Sequence, residues 1–453
     1  MDSDKMRILI VNPPAVCSYF NAGHRLPIFQ VGAFLRGRSF AGDVECHDLG
    51  ALNATWRTVC KLLSRRFDVV AVFNDYDGID GLSRFLYYMR RMQPEAKVVT
   101  FGRGSKQAPA AFKPLPLDSI IVSGDYESGL EDYVQHLLGR APPAGNLFRE
   151  GDRWREGPPG RLLEAGEWVF PEWREIPYEA YDRLYSDDLD KFCGIPGRRE
   201  LVVPIARGCP VNCVFCDVPV MQGLKERRVS VEKVIGYIQA AYRDAPFEYV
   251  SFYAPTFTLK RAWVRSLCTA FRQADMKISW KCVTTLAHLD EQLIGEMSDA
   301  GCVRISVGLE TLSATALRNL PALKRNAERD LQNVTRWCNA SGVELNCFVI
   351  FGLPGDTLED ATYTANRVKS YSARLRPTAY TPYQRMADIR DLADIASYNR
   401  QTFVDGTIDL ELALSYYRLL YADSTDRRSA IMNSIPSRAS GAERVLEARV
   451  PLA

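Results

Sequence analysis

Three cysteines fall within eight residues in Cys209-Pro-Val-Asn-Cys213-Val-Phe-Cys216, directly behind the apolar run "LVVPIA". A C-x3-C-x2-C spacing on a loop that leaves a strand can ligate three irons of a 4Fe–4S cube through thiolates, and the fourth iron then has no protein ligand. That open iron is the chemically useful one, because a small molecule can chelate it. A structural zinc ion would ask instead for four ligands, usually in paired spacing. No second C-x2-C and no nearby histidine follows, and Cys193 is the one other cysteine close in sequence. Purely packed thiols would have no reason to gather behind "ARG". The metal ligands expected here are Cys209, Cys213 and Cys216.

The segments that must hold this loop alternate between strand and helix patterns. "RILIVN" and "DVVAVF" are continuous apolar runs of the kind found in parallel strands buried on both faces, and "KVVTFG" and "DSIIVSG" are shorter runs ending in glycine. With helical stretches such as "IDGLSRFLYYMRRM" between them, residues 1–140 read as a doubly wound, Rossmann-like α/β domain whose ligand would sit at the carboxyl ends of the strands. Residues 141–200 are rich in Pro, Gly and charge and read as a connector with room for a hairpin. From "ELVVPIA" the alternation resumes through "EYVSFY", "ISWKCVT", "RISVGLE", "ELNCFVIFG" and "PTAYTPY". Six such units over 201–385 fit a partial (β/α)6 barrel, and 386–453 is helical in pattern.

Composition narrows the function. Of 453 residues, 47% are hydrophobic and 25% charged, the balance of an ordinary soluble globular protein. The formal charge of +2 is made by scattered basic residues, so no nucleic-acid footprint is expected. No run approaches the ~18 apolar residues of a membrane span. The start "MDSDKMRILIVNPP" is unlike a signal peptide, so twelve cysteines read as reduced thiols and ligands in the cytoplasm rather than as disulfides.

The triplet, with Phe215 before its last cysteine, resembles the radical S-adenosylmethionine (SAM) superfamily. "YAPTFTLKRAWVRSLC", "LDEQLIGEMSDAGCVRISVGLET" and "VELNCFVIFGLPGDTLED" are similar to that family's second, fourth and fifth barrel strands with their surroundings. Residues 1–140 resemble the cobalamin-binding domain that precedes the barrel in one large subgroup. The resemblance implies a 4Fe–4S cluster whose open iron binds the amino and carboxylate groups of SAM, and reductive cleavage of SAM to methionine and a 5′-deoxyadenosyl radical. It implies cofactor contacts from Phe215 near the adenine and from backbone carbonyls of Phe252-Tyr253-Ala254 to the methionine amine. It also implies Glu310 on the ribose or methionine portion and Gly352, Pro354 and Gly355 shaping a turn near the adenine.

The chain departs from the family pattern in several places. Ala254-Pro255 stands where paired aspartates are common, and Thr284-Thr285 where a basic residue is common. "ECHDLG", with His47, is a near miss to a cobalt-ligating motif but follows the second strand, so His47 is expected to be a neutral, packed histidine. After "DVVAVF", where the subgroup keeps small residues, stand Asn74, Asp75, Tyr76 and Asp77, and the next strand ends Phe101-Gly102-Arg103-Gly104. The acids and the tyrosine could bond a polyhydroxylated or cationic ligand, with Asp77 expected to cap the next helix. A corrin is expected to find this pocket degenerate, so cobalamin is a doubtful cofactor.

These features are most similar to the radical SAM diol dehydratases of the apramycin (aminoglycoside) type, and the alternative is a cobalamin-dependent C-methyltransferase. In the first case the radical takes the C4′ hydrogen of a pseudodisaccharide such as paromamine. Water then leaves from C3′, which needs a proton donor and a base. Candidate catalytic groups are Tyr253, Asp356 and Tyr383, with Tyr380 beside them, all expected at strand ends. Asp356 or Asp217 could anchor the substrate's ammonium groups. The implied partners are an electron donor such as flavodoxin or ferredoxin and a nicotinamide-dependent reductase acting on the product.

Overall fold

The computed structural model describes residues 5–15, 25–76, 78–186, 194–195, 198–398, 403 and 410–421. Five parallel strands open the chain: β1 (Met6–Asn12), β2 (Ala41–Asp48), β3 (Val69–Asn74), β4 (Lys97–Gly102) and β5 (Ser119–Ile121). They lie in the order β2-β1-β3-β4-β5, so the topological switch falls between β1 and β3. Every residue of β3 is buried, which is why "VVAVF" reads as an unbroken apolar run rather than an alternation. The hairpin allowed for in the connector exists as β6 (Asn146–Glu150) and β7 (Arg153–Glu156), and it pairs antiparallel onto β5 as a continuation of this sheet. "ECHD" lies inside β2 rather than after it, and His47 Nε2 sits 3.2 Å from Glu45 Oε2 on the same strand.

The second sheet contains six parallel strands in the order β15-β14-β13-β12-β11-β8. These are β8 (Glu200–Pro204), β11 (Tyr249–Tyr253), β12 (Ser279–Thr284), β13 (Cys302–Glu310), β14 (Glu344–Phe351) and β15 (Arg374–Ala379). Helices Val231–Asp244, Arg261–Gln273, Glu291–Asp299, Ala327–Ala340 and Leu358–Ser370 form the crossovers between successive strands. A two-residue antiparallel ladder, β9 (Ala206–Arg207) with β10 (Arg227–Arg228), clips the base of the cysteine loop. β15 stops before Tyr380, and Tyr383 opens a 3-10 segment, Tyr383–Asp388, that packs into the core of the first sheet. Tyr383 is therefore not at a barrel strand end, contrary to expectation.

One apolar cluster runs from Ile8, Phe29 and Phe101 through Val203 and Trp280 to Phe351, so the two sheets share a core. Two buried ion pairs reinforce the joint. Arg227 Nη1 donates to Asp125 Oδ2 at 2.6 Å, and Arg207 Nη1 donates to Glu127 Oε2 at 3.0 Å. Removing one partner of such a pair would strand a buried charge at a cost of about 3–5 kcal/mol. Among the described residues, no helix is long and apolar enough to cross a membrane.

Candidate active site

The cysteine loop leaves β9 through Gly208, at φ +82°, where a Cβ would lie 2.2 Å from the Lys225 carbonyl oxygen. Only glycine fits that approach. The Cys209 amide donates to Gly223 O at 3.1 Å and the Cys216 amide to Cys213 O at 3.0 Å, so the loop is tied at its start and turns tightly between the last two cysteines. Cys209 is buried, 3.6 Å from the Thr256 hydroxyl, while Cys213 and Cys216 are half-buried. Burial pushes the Cys213 thiol up to about 12, with the Lys324 ammonium opposing the shift. Among the described residues no three acidic, cysteine or histidine side chains converge as a one-ion site would require. A 4Fe–4S cube does not ask for convergence, because each thiolate takes its own iron. An all-thiolate donor set on a constrained loop beside a buried cation fits that group.

Across the mouth of the second sheet, β13 ends in a bulge that shifts its register against β14 and leaves Glu310 in the left-handed region at φ +68°. Such a conformation in a non-glycine residue concentrates at functional sites. The Glu310 carboxylate accepts from Lys324 Nζ at 2.6 Å, and Lys324 also donates to Gly308 O at 2.9 Å. A Cβ at Gly308 would meet both Glu310 Oε1 and Lys324 Nζ within 3 Å, so a larger residue there would make the pair shift. Glu310, Cys213 and Cys216 all hold the Lys324 ammonium in its charged form against the cost of burial.

The turn after β14 uses Gly352 and Gly355 at φ +78° and +86° with Pro354 between them. It carries Leu353 into a small cluster with Ala316 and Tyr380, against which Phe215 of the cysteine loop packs. Asp356 follows. Its Oδ1 accepts from the Thr311 hydroxyl at 3.3 Å, while its Oδ2 is buried with no hydrogen-bond partner. Burial, with Asp360 adding repulsion, pushes this carboxyl up to about 7. The buried Tyr416, on helix Leu410–Tyr421, feels the charges of Asp356 and Asp360. Asp356 is thus poised to gain or lose a proton near neutral pH.

On β11, Phe252 is 1% exposed and packs on Phe257, Phe271 and Trp280, whereas Tyr253 is 56% exposed. The Tyr253 carbonyl accepts from the Ile205 amide at 3.0 Å, so of the three carbonyls expected to face an amine this one is already engaged. Ala254, Thr284 and Thr285 are buried, and the Thr284 hydroxyl is bonded to that of Thr258.

At the carboxyl ends of β3 and β4 the expected ligand site is closed. Tyr76 and Tyr383 stack with centroids 5.4 Å apart, and the Arg103 guanidinium lies 4.3 Å from the Tyr76 ring centroid. Arg103 Nε donates to Asp217 Oδ2 at 2.9 Å, and its Nη1 is 3.5 Å from Asp75 Oδ1. Asp75 also pairs with Arg25 at 3.1 Å, and the Tyr76 hydroxyl accepts from Gln107. Asp75 and Tyr76 therefore satisfy neighbours rather than an incoming ligand. Asp217, 6% exposed, is committed to Arg103 instead of a substrate amine, which removes it as an anchor. A Cβ at Gly102 would lie 1.8 Å from Asn74 O, so the two strand ends touch. Among the described residues these side chains fill the carboxyl ends of β3 and β4, so a flat corrin would have to displace them to enter there. Asp77, expected to cap the next helix, lies outside the described residues, as does Cys193.

Two features escaped sequence reasoning. Lys324 lies fourteen residues beyond Glu310 with no motif around it, and only the return of the chain after helix Ala314–Arg318 brings the two together. The contact of Arg103 with Asp217 spans 114 residues and has no local signature.

Residues 203–368 match the radical SAM superfamily. An uncharacterized methyltransferase of Pyrococcus horikoshii is 25% identical over 394 residues, 83% of this chain and 81% of that one. Cytidylyl-2-hydroxyethylphosphonate methyltransferase of Streptomyces wedmorensis is 22% identical over 65% of this chain, which spans only 60% of that enzyme's length. Among solved structures, the radical SAM methyltransferase TsrM of Kitasatospora setae, with cobalamin and a 4Fe–4S cluster bound, shares the fold at a TM-score of 0.68 and 16% identity. That alignment covers 84% of this chain and 77% of TsrM. The stretch that matches the radical SAM superfamily carries the cysteine loop at the mouth of a six-stranded parallel sheet, and a Rossmann-like sheet precedes it.

Proposed function

We propose that Cys209, Cys213 and Cys216 hold a 4Fe–4S cluster, and that the chain cleaves SAM to act by hydrogen abstraction on a small molecule. The observation that carries this is the thiol loop facing the strained, ion-paired Glu310 across the mouth of the second sheet. When bound, cluster and SAM supply an electron and a carbon radical, chemistry that no side chain offers. The protein's share is placement. Glu310 takes the ribose or methionine portion of SAM, and Lys324 holds Glu310 in position. Phe215 and the Gly352–Gly355 turn wall the adenine side. The Phe252 and Ala254 carbonyls face the methionine amine. Asp356 moves protons at its Oδ2, with Tyr253 and Tyr380 on the same rim. An external one-electron donor of the flavodoxin or ferredoxin class reduces the site.

Two outcomes of this chemistry compete. The names of the relatives favour methyl transfer, and neither curated relative described above is a dehydratase. The second reading is dehydration of a vicinal diol, as in an aminoglycoside such as paromamine, with a nicotinamide-dependent reductase consuming the oxo product. It is favoured by the filled edge of the first sheet, which leaves the radical to act on substrate directly. The by-products separate them. Methyl donation from SAM leaves S-adenosylhomocysteine, whereas dehydration leaves only 5′-deoxyadenosine and methionine. On the dehydration reading, reduced enzyme with SAM and paromamine, without added cobalamin, gives 5′-deoxyadenosine, a product lighter by one water, and deuterium transfer from C4′. A product heavier by one methylene, dependent on added cobalamin, selects methyl transfer. Absence of both 5′-deoxyadenosine and S-adenosylhomocysteine with any reductant defeats both.

A further inference from the structure

The five-residue helix Arg103–Gln107 at the end of β4 grips the segment just after the cysteines twice. Arg103 Nε donates to Asp217 Oδ2 at 2.9 Å, and Lys106 Nζ donates to Met221 O at 2.9 Å. Asp217 directly follows Cys216, and its carbonyl accepts the Met221 amide at 3.0 Å, so it starts the short helix Val218–Gln222. Arg103 is itself immobilised. Tyr76 lies under its guanidinium, the Tyr383 hydroxyl accepts from Nη2 at 3.4 Å, and Asp75 holds Nη1. Arg25, Asp75, Arg103 and Asp217 form a chain of alternating charge with side chains between 8% and 23% exposed. Such a chain is weakly screened and costly to break at any link.

We propose that Arg103 is a positioning residue for the iron–sulfur site, through which the first sheet sets the placement and electrostatics of the Cys213–Asp217 segment. The sheet then serves the reaction as a fixed wall with a charged contact, in the place where related folds hold a ligand. A cluster's reduction potential responds to the charges beside it, so the two ends of the link should move it in opposite directions. Loss of the Arg103 cation should make reduction harder, and loss of the Asp217 anion should make it easier. Both should disturb the geometry presented to SAM. Lysine restores charge but not the planar fork that reaches Asp75 and Asp217 together.

The proposal rests on cluster binding at the three cysteines, and the test keeps the two apart. Anaerobically reconstituted wild type, Arg103→Ala, Arg103→Lys and Asp217→Asn are compared by iron content, by redox titration followed by electron paramagnetic resonance with and without SAM, and by 5′-deoxyadenosine formation. Iron content is expected to match wild type in all three variants. The potential should fall in Arg103→Ala, rise in Asp217→Asn and return toward wild type in Arg103→Lys. All three should form 5′-deoxyadenosine at least tenfold more slowly. Wild-type potential and rate in Arg103→Ala overturn the proposal. If that variant does not fold, Asp217→Asn decides alone, because it leaves Arg103 on Asp75 and the tyrosines, and a wild-type potential there overturns the proposal equally. Iron absent from the wild type would instead strike the reading of the cysteines.

Discussion

Replacing Asp356 by Asn should stabilise the protein at neutral pH while nearly silencing it. The carboxyl rises from its ordinary 3.8 to about 7, chiefly because burial disfavours its charge, with Asp360 adding repulsion. Hydrogen bonds from the Thr311 hydroxyl and the Gly352 backbone offset that burial only in part. Below about pH 4 folded and unfolded chains both hold the proton, so the carboxyl contributes nothing to pH dependence. Between about 4 and 7 the unfolded chain has released the proton and the folded chain has kept it, so stability falls as pH rises. Above about pH 7 both are ionised and the penalty is complete. A shift of about three units corresponds to about 4 kcal/mol. The half-buried side chain still meets some solvent, so ~3 kcal/mol is the working figure after screening. For a chain of this length that is about 3–5 °C in Tm. Anaerobic melts of the cluster-loaded protein should show Asp356→Asn above wild type by this amount at pH 8.5 and by about half of it at pH 5.5. Turnover should fall about 10²-fold or more, and the inflection near neutrality in the wild-type rate profile should disappear. A Tm difference that is the same at both pH values would refute the argument, because it would mean that Asp356 ionises normally.

Two further outcomes follow from the cysteine loop and the first sheet. Replacing Cys209, Cys213 and Cys216 together by alanine should take bound iron from about four atoms per chain to none and abolish 5′-deoxyadenosine formation. Iron–sulfur absorbance and full activity in that variant would end the assignment. Equilibrium dialysis against hydroxocobalamin should show no stoichiometric binding, because Tyr76, Arg103 and Tyr383 occupy the strand ends. One-to-one tight binding would show that this packing yields to a corrin and would favour methyl transfer.

The linear order of residues determined the parts that depend on local rules. Short apolar runs such as "VVAVF" and "CFVIF", alternating with helical patterns, are of the kind buried as parallel strands covered on both faces, so both sheets were legible before any contact was known. The triplet was legible because ligand spacing on one loop is itself a local property. Tertiary structure decided everything that depends on meetings across distance. Tyr383 looked like a barrel rim residue, yet β15 ends at Ala379 and the chain turns into the first sheet's core, where the stack on Tyr76 outweighs its place in the sequence. Asp217 looked available for a substrate amine until Arg103 reached it from the other sheet. The Glu310–Lys324 pair and the unsatisfied Asp356 oxygen exist only in the assembled mouth, where burial makes an ion pair necessary in one case and a proton favourable in the other. Electrostatic energies depend on neighbours and solvent access, and neither is written in the spacing of residues along a chain.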